Sequence, residues 1–224
     1  MLTTRFQAWV RRNALRLGLL LGRLPLTPNM VTVGGTLITC VAAVLIGFGN
    51  LLGGAIVLVF AGTFDIIDGA LARATKRSYP YGAFLDSTMD RVAEAATYIG
   101  IAAYFLYQQP NGPWGRLAGL GCLCAIAGSL LVSYVRARAQ SLGFTCDSGI
   151  FQRPERVVAT VVGLVLGYFF GFIWLAVVVA LLAVVTCFTA LQRVLDVWAQ
   201  ARVERRRSRE ASPEPPTGRG RTAP

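Results

Sequence analysis

Histidine is absent from the 224-residue chain, and lysine occurs once, at Lys76. Without imidazole the chain has no histidine base and no histidine metal ligand, which removes Ser-His-Asp hydrolases and most zinc enzymes. Any general base is therefore a carboxylate or a tyrosine. Charge is also scarce. Only 15% of residues are charged against 54% hydrophobic, and the mean hydropathy is +0.56, so a soluble globular fold is disfavoured. Acidic residues number 11 against 22 basic ones, a net charge of +11. That balance suits an anionic membrane surface or an anionic substrate, and no nucleic acid partner is expected. The five cysteines are an odd number and mostly lie in apolar stretches, where they read as small hydrophobes; Cys122 and Cys124 as a metal pair is the weaker alternative.

What the chain has in quantity is apolar sequence. About 120 apolar residues are enough for about six bilayer crossings at roughly 20 residues each. Six runs answer that count: Met30 to Gly47, Leu51 to Leu71, Phe84 to Tyr107, Leu117 to Val135, the short Val157 to Leu166, and Phe172 to Val194. The breaks between them alternate in charge. Arg73, Lys76 and Arg77 mark one basic loop, and Arg136, Arg138, Arg153 and Arg156 flank another, whereas Phe48 to Asn50 and Gly167 to Gly171 carry no charge. By the positive-inside rule both basic loops and both termini face the cytoplasm, which requires an even number of spans. The expected fold is all-α: a polytopic cell-membrane protein of six transmembrane helices. Residues 1–24 read as an amphipathic interfacial helix, with Arg5, Arg11, Arg12 and Arg16 set among Phe6, Trp9, Val10 and Leu15. No cleavable signal peptide is expected there. Residues 25–200 form the membrane domain, and 201–224 read as a disordered basic tail.

Four of the few acidic residues, Asp65, Asp68, Asp86 and Asp90, sit at the ends of apolar helices, where a carboxylate is costly and marks function by default. The spacings are i, i+3 and i, i+4, so each pair projects from one helical face. A short basic loop separates the pairs and should bring them together at the cytoplasmic side of the bilayer. Four like charges repel unless cations neutralise them, and oxygen-only ligation points to two divalent ions, Mg²⁺ or Mn²⁺. Gly69, inside a helix directly after Asp68, suggests close approach of a ligand such as a nucleotide, and Arg73 one turn on can offer a guanidinium to a diphosphate. The plainer alternative pairs the aspartates with Arg73 and Arg91 to lock helix register, but it leaves net negative charge unexplained.

The segment from Asp65 to Asp90, DIIDGALARATKRSYPYGAFLDSTMD, fits D-x2-D-G-x2-A-R-x8-G-x3-D-x3-D at all eight fixed positions. In this it resembles the CDP-alcohol phosphotransferase family. The resemblance implies a six-helix membrane fold, usually dimeric, with a binuclear metal site at the cytoplasmic boundary. It also implies displacement of CMP from a CDP-linked lipid by an alcohol. By position, Asp65, Asp68 and Asp86 would hold the first metal. Asp86 and Asp90 would hold the second, with Asp90 also the proton acceptor. Pro28 to Thr32 looks like the family's nucleotide-contacting helix start, which makes Asn29, Met30, Val31 and Thr32 donor-binding candidates together with Gly69, Arg73 and Tyr79.

The acceptor is read from a second basic cluster. Arg136, Arg156 and Arg193 come from three separate elements at one membrane depth, an arrangement suited to an acceptor carrying its own phosphate. Snorkelling arginines that anchor the chain would account for Arg138 and for Arg153, but poorly for Arg193. The stretches SYVRARAQSLG, RPER and QR resemble the family branch that uses L-myo-inositol 1-phosphate, and this implies that those three arginines hold the inositol phosphate. Expected partners are thus CDP-diacylglycerol or CDP-archaeol as donor, inositol 1-phosphate as acceptor, the bilayer and a second copy of the chain. Glycerol 3-phosphate is the alternative acceptor. A cation channel or transporter is the alternative class, although it would need acidic residues along a pathway rather than at one end.

Overall fold

The computed structural model describes residues 27–75, 80–109, 113–146 and 153–211, with side chains outside 65–79 and up to residue 208. Six helices follow in order: α1 (Pro28–Gly47), α2 (Leu51–Thr75), α3 (Pro80–Gln108), α4 (Pro113–Ser141), α5 (Arg153–Phe170) and α6 (Phe172–Ala211). Among the described residues there is no strand. The all-α expectation therefore holds, and each apolar run lies in one helix. The amphipathic reading of residues 1–24 falls outside the described residues.

Local chemistry sets the helix ends. Thr27 caps α1 by accepting the Met30 N–H on its Oγ1 at 3.3 Å, and Pro28 supplies the pre-set φ of a first helical position. The chain reverses after α1 through Gly49, at φ +90°, a conformation that suits glycine. Asn50 then accepts the Gly53 N–H at 2.9 Å and starts α2. The sharp turn from α5 to α6 uses Gly171 at φ +97°.

The helices form a closed circuit of neighbours: α2 packs on α1, α1 on α3, α3 on α4, α4 on α6, α6 on α5, and α5 back on α2. Helices α2 and α3 both pack against α1. Close approach is bought with small residues: a Cβ at Gly100 would overlap the Ala43 carbonyl across the α1–α3 contact, and one at Gly128 would overlap Thr186 across α4–α6. Six buried threonines, Thr36, Thr39, Thr97, Thr160, Thr186 and Thr189, return their hydroxyls to carbonyls one turn earlier at 2.7–3.1 Å. No buried hydroxyl in that set is left without an acceptor.

Large apolar side chains also cover the outside. Leu37, Val41, Ile56, Ile99, Leu106, Leu120, Leu181 and Phe188 are all exposed. A surface so apolar belongs in lipid, and the protein is a membrane protein. Helices α1, α4 and α6 are long and apolar enough to cross a bilayer, and Leu51–Phe64 of α2 is a shorter apolar stretch.

The tail reading needs correcting in part. Helix α6 continues past residue 200 to Ala211, so residues 201–211 are helical rather than disordered. Ala, Arg and Glu dominate this extension and are good helix formers, and lengthening an existing helix avoids the cost of nucleation. Gln200 ties the extension to the end of α4: its Nε2 donates to the Thr145 carbonyl at 2.7 Å, and its Oε1 accepts the Thr145 N–H at 3.1 Å and hydroxyl at 3.0 Å. Residues 212–224 lie outside the described residues.

Candidate active site

Two cavities open inside the circuit of helices, and they share a wall. The first, of ≈ 330 Å³, lies between α1, α2, α3 and α5. Its surface is mostly apolar, with Val31, Leu58, Ala61 and Phe64 beside the hydroxyls of Thr32, Thr36 and Thr39. The second, of ≈ 350 Å³, lies between α3, α4, α5 and α6. Five arginines line it, Arg91, Arg136, Arg153, Arg156 and Arg193, against two carboxylates, Asp90 and Glu94. Asp90, Glu94, Arg153 and Pro154 line both cavities.

The shared wall is built from two helical faces. Asp90 and Glu94 are one turn apart on α3, and Arg153 and Arg156 one turn apart on α5. Arg153 Nη2 lies 2.8 Å from Asp90 Oδ1, with the two side chains 29% and 22% exposed. Arg156 binds Glu94 at two points, Nε to Oε1 at 2.6 Å and Nη2 to Oε2 at 3.1 Å, with the side chains 4% and 10% exposed. A side-on pair of this kind fixes the guanidinium plane as well as its position. Arg193, also buried, donates from Nη1 to the Val132 carbonyl of α4 at 2.7 Å. Arg136 follows Val132 by one turn, so two arginines from different helices stand at one level of the second cavity.

The three acceptor candidates are thus brought into one cavity from α4, α5 and α6. Of the metal candidates, Asp86 and Asp90 lie one turn apart on α3 and are both half-buried. Asp65, Asp68, Gly69 and Arg73 fall on the helical backbone of α2, but their side chains lie outside the described residues, as does Tyr79 entirely. Phe64, the residue before Asp65, does line the first cavity together with Asp90. At the start of α1, Val31 and Thr32 line the same cavity, and Asn29 lies beside Gly82 of α3, where a Cβ would come within 3.4 Å of its Oδ1. Met30 is exposed, and its contribution at this helix start is the backbone N–H held by Thr27.

Two residues at the centre escaped the sequence reading. Arg153 belongs to the second basic cluster, where anchoring is the plainer account of it, yet it contacts Asp90. Glu94 is not among the sequence candidates, although a glutamate one turn after Asp90 in an apolar helix is itself a functional signal. Arg91, offered as a register-locking partner for the aspartates, donates to the Ser87 carbonyl of its own helix.

The CDP-alcohol phosphatidyltransferase family model matches residues 25–199. The chain belongs to the CDP-alcohol phosphatidyltransferase family. Among its relatives, the archaetidylinositol phosphate synthase of Methanothermobacter thermautotrophicus is 38% identical over 176 residues, which is 79% of this chain and 85% of that one. The phosphatidylinositol phosphate synthase of Mycobacterium tuberculosis is 36% identical over 193 residues, 84% of each chain. The fold is similar to the crystal structure of the M. tuberculosis synthase with CDP-DAG bound, at a TM-score of 0.76 and 33% identity over 84% of this chain and 94% of that one. It is also similar to the same enzyme in complex with manganese and citrate, at a TM-score of 0.73 and 32% identity over 83% and 88%. As a CDP-alcohol phosphatidyltransferase, the protein is an enzyme of phospholipid synthesis.

Proposed function

We propose that this phosphatidyltransferase moves a phosphatidyl or archaetidyl group from a CDP-linked lipid to L-myo-inositol 1-phosphate and releases CMP. The observation that carries the reading is the pair of cavities meeting at Asp90, one apolar and one lined by arginines. The apolar cavity, with Val31 and Thr32 in its lining, suits the lipid-linked donor; Asn29 and Met30 at the same helix start, and Gly69, Arg73 and Tyr79 by their positions in the family motif, would hold the CDP group. The basic cavity suits an acceptor that carries a phosphate, held by Arg136, Arg156 and Arg193, since several guanidinium donors bind phosphate better than one. Relatives named for archaetidylinositol and phosphatidylinositol phosphate synthesis favour the inositol ester over glycerol 3-phosphate.

The carboxylates fit divalent ions: the candidate ligands are all oxygens, and a similar structure contains manganese. Asp65, Asp68, Asp86 and Asp90 would hold two Mg²⁺ or Mn²⁺, which supply neutralisation of the charge developing on the phosphoryl oxygens. The remaining work falls to the chain. Arginines of the second cavity hold the acceptor so that a ring hydroxyl faces the shared wall. Asp90, which lines both cavities, accepts the proton of that hydroxyl as its oxygen bonds to the lipid-linked phosphorus and the bond to CMP breaks. General-base assistance of this kind contributes roughly 10²- to 10⁴-fold in rate. The apolar wall limits water, the competing nucleophile.

The same reading places six crossings in the bilayer, the active site and both termini in the cytoplasm, and two copies in the working assembly. Purified protein with labelled CDP-diacylglycerol tests the activity. CMP release should require Mg²⁺ or Mn²⁺ and inositol 1-phosphate. Equal turnover with unphosphorylated inositol would show that the basic cavity is a membrane anchor, and preference for glycerol 3-phosphate would reassign the acceptor. Sidedness is tested with Arg77→Cys and Ile150→Cys on a cysteine-free background: impermeant thiol reagents should reach both sites in inside-out vesicles and neither in intact cells.

A further inference from the structure

Helices α3 and α5 hold no place beside each other in the circuit of packed neighbours: α3 packs on α1 and α4, α5 on α2 and α6. Two rungs at the shared wall link them. Arg153 Nη2 and Asp90 Oδ1 lie 2.8 Å apart at a partly open position. Arg156 and Glu94 meet side-on, Nε to Oε1 and Nη2 to Oε2, nearly out of solvent. The carbonyl of Arg156 also accepts the Thr160 hydroxyl at 2.8 Å. Arg156 is therefore held at its head by Glu94 and at its backbone by the ordinary course of α5, in a protein where it also lines the basic cavity.

We propose that Glu94 is the positioning residue of the acceptor site: it fixes the Arg156 guanidinium in the orientation in which that group grips the acceptor's phosphate. The inference rests on the reading of the basic cavity as the acceptor site. A long arginine side chain loses substantial rotamer freedom when it binds, and a planar group already held by a two-point bond loses less. The cost is electrostatic, because a carboxylate in contact with Arg156 offsets part of the attraction for phosphate. The two effects have opposite signs at the acceptor, which makes the proposal decidable. If Glu94 only balances charge, removing its charge strengthens acceptor binding. If it positions Arg156, removing one of its two oxygens as an acceptor weakens that binding.

Glu94→Gln is nearly isosteric, keeps one carbonyl acceptor and loses the charge. In the purified full chain with CDP-diacylglycerol, Mg²⁺ and varied inositol 1-phosphate, this variant should raise the acceptor KM by about threefold to tenfold, the scale of one ordinary hydrogen bond, since the bond lost acts on the acceptor only through Arg156. The donor KM should stay within twofold of wild type, and kcat should change less than the acceptor KM does. Glu94→Asp keeps the charge but withdraws it by one methylene, so it should raise the acceptor KM as well; it carries the test if the Gln variant fails to fold. An acceptor KM that falls or stays unchanged in Glu94→Gln, or is unchanged in Glu94→Asp, overturns the proposal. So does a lower thermal midpoint with both KM values intact, the signature of a merely structural pair. Arg136→Ala, measured in parallel, separates this from the reading beneath it. If Arg136→Ala leaves the acceptor KM unchanged, the cavity assignment fails; if it raises the KM and the Glu94 variants do not, only the positioning role fails.

Discussion

The two cavities differ in almost everything except their shared wall. The first is walled by aliphatic and aromatic side chains, and its threonine hydroxyls are turned back to their own helices. The second gathers five arginines around two carboxylates. An enzyme that joins a lipid to a phosphorylated polyol must bring together two substrates that no single solvent accommodates. Under the proposed function each substrate has a compartment of its own polarity, and the two compartments share Asp90 in their lining. The contrast also shows why one kind of residue can be read from sequence in one cavity and not in the other. An aspartate in an apolar helix stands out by itself, whereas an apolar lining looks like any other membrane helix.

Substitutions test this division and the frame that holds it, from the largest expected effect to the smallest. Asp90→Asn strikes the shared wall. It should abolish measurable CMP release, a loss of at least the roughly 10²- to 10⁴-fold owed to a general base, while the protein remains folded in detergent. Substantial turnover would place the base elsewhere. Arg136→Ala strikes the basic cavity alone. Removing one charge-assisted contact, about 1.5–3 kcal/mol, should raise the acceptor KM by about 10- to 150-fold and leave the donor KM near wild type. Equal changes in both constants would erase the distinction between the cavities. Arg156→Ala is a poorer probe than the sequence suggests, because it strands the buried Glu94 carboxylate, a defect of about 3–5 kcal/mol in its own right.

Gly100→Ala tests the frame rather than either cavity. A Cβ there meets the Ala43 backbone, so the α1–α3 contact must open at a cost of about 1–3 kcal/mol, seen as a lower thermal midpoint in detergent. Retention of the wild-type midpoint would mean that the two helices are not so close. Thr36→Val should have the smallest effect. Its hydroxyl donates to the Thr32 carbonyl of its own helix at 3.1 Å, a bond that does not depend on a ligand, so the donor KM should change less than about threefold. A large rise would show that the apolar cavity reads polar groups of the donor after all.

Much of this protein is legible in its sequence, for reasons that are local. Apolar runs of bilayer length, broken by Phe48-Gly49-Asn50 and by basic loops, dictate helices because a backbone in lipid must satisfy its own hydrogen bonds. The spacing from Asp65 to Asp90 carries the family, because metal ligation and nucleotide approach demand particular residue types at fixed helical intervals. The helical pattern runs past residue 201: charge and proline suggest a solvated tail from there, whereas helix propagation carries α6 to Ala211. Pairing across helices belongs to the tertiary structure alone. Arg153 and Arg156 look alike in sequence, three residues apart at a helix start. Only the placement of α5 against α3 gives one to Asp90 and the other to Glu94, across about sixty residues of chain. Such contacts depend on which faces the packed helices turn toward each other, and that is decided by small residues such as Gly100 and Gly128, whose importance appears only once the neighbouring helix is in place.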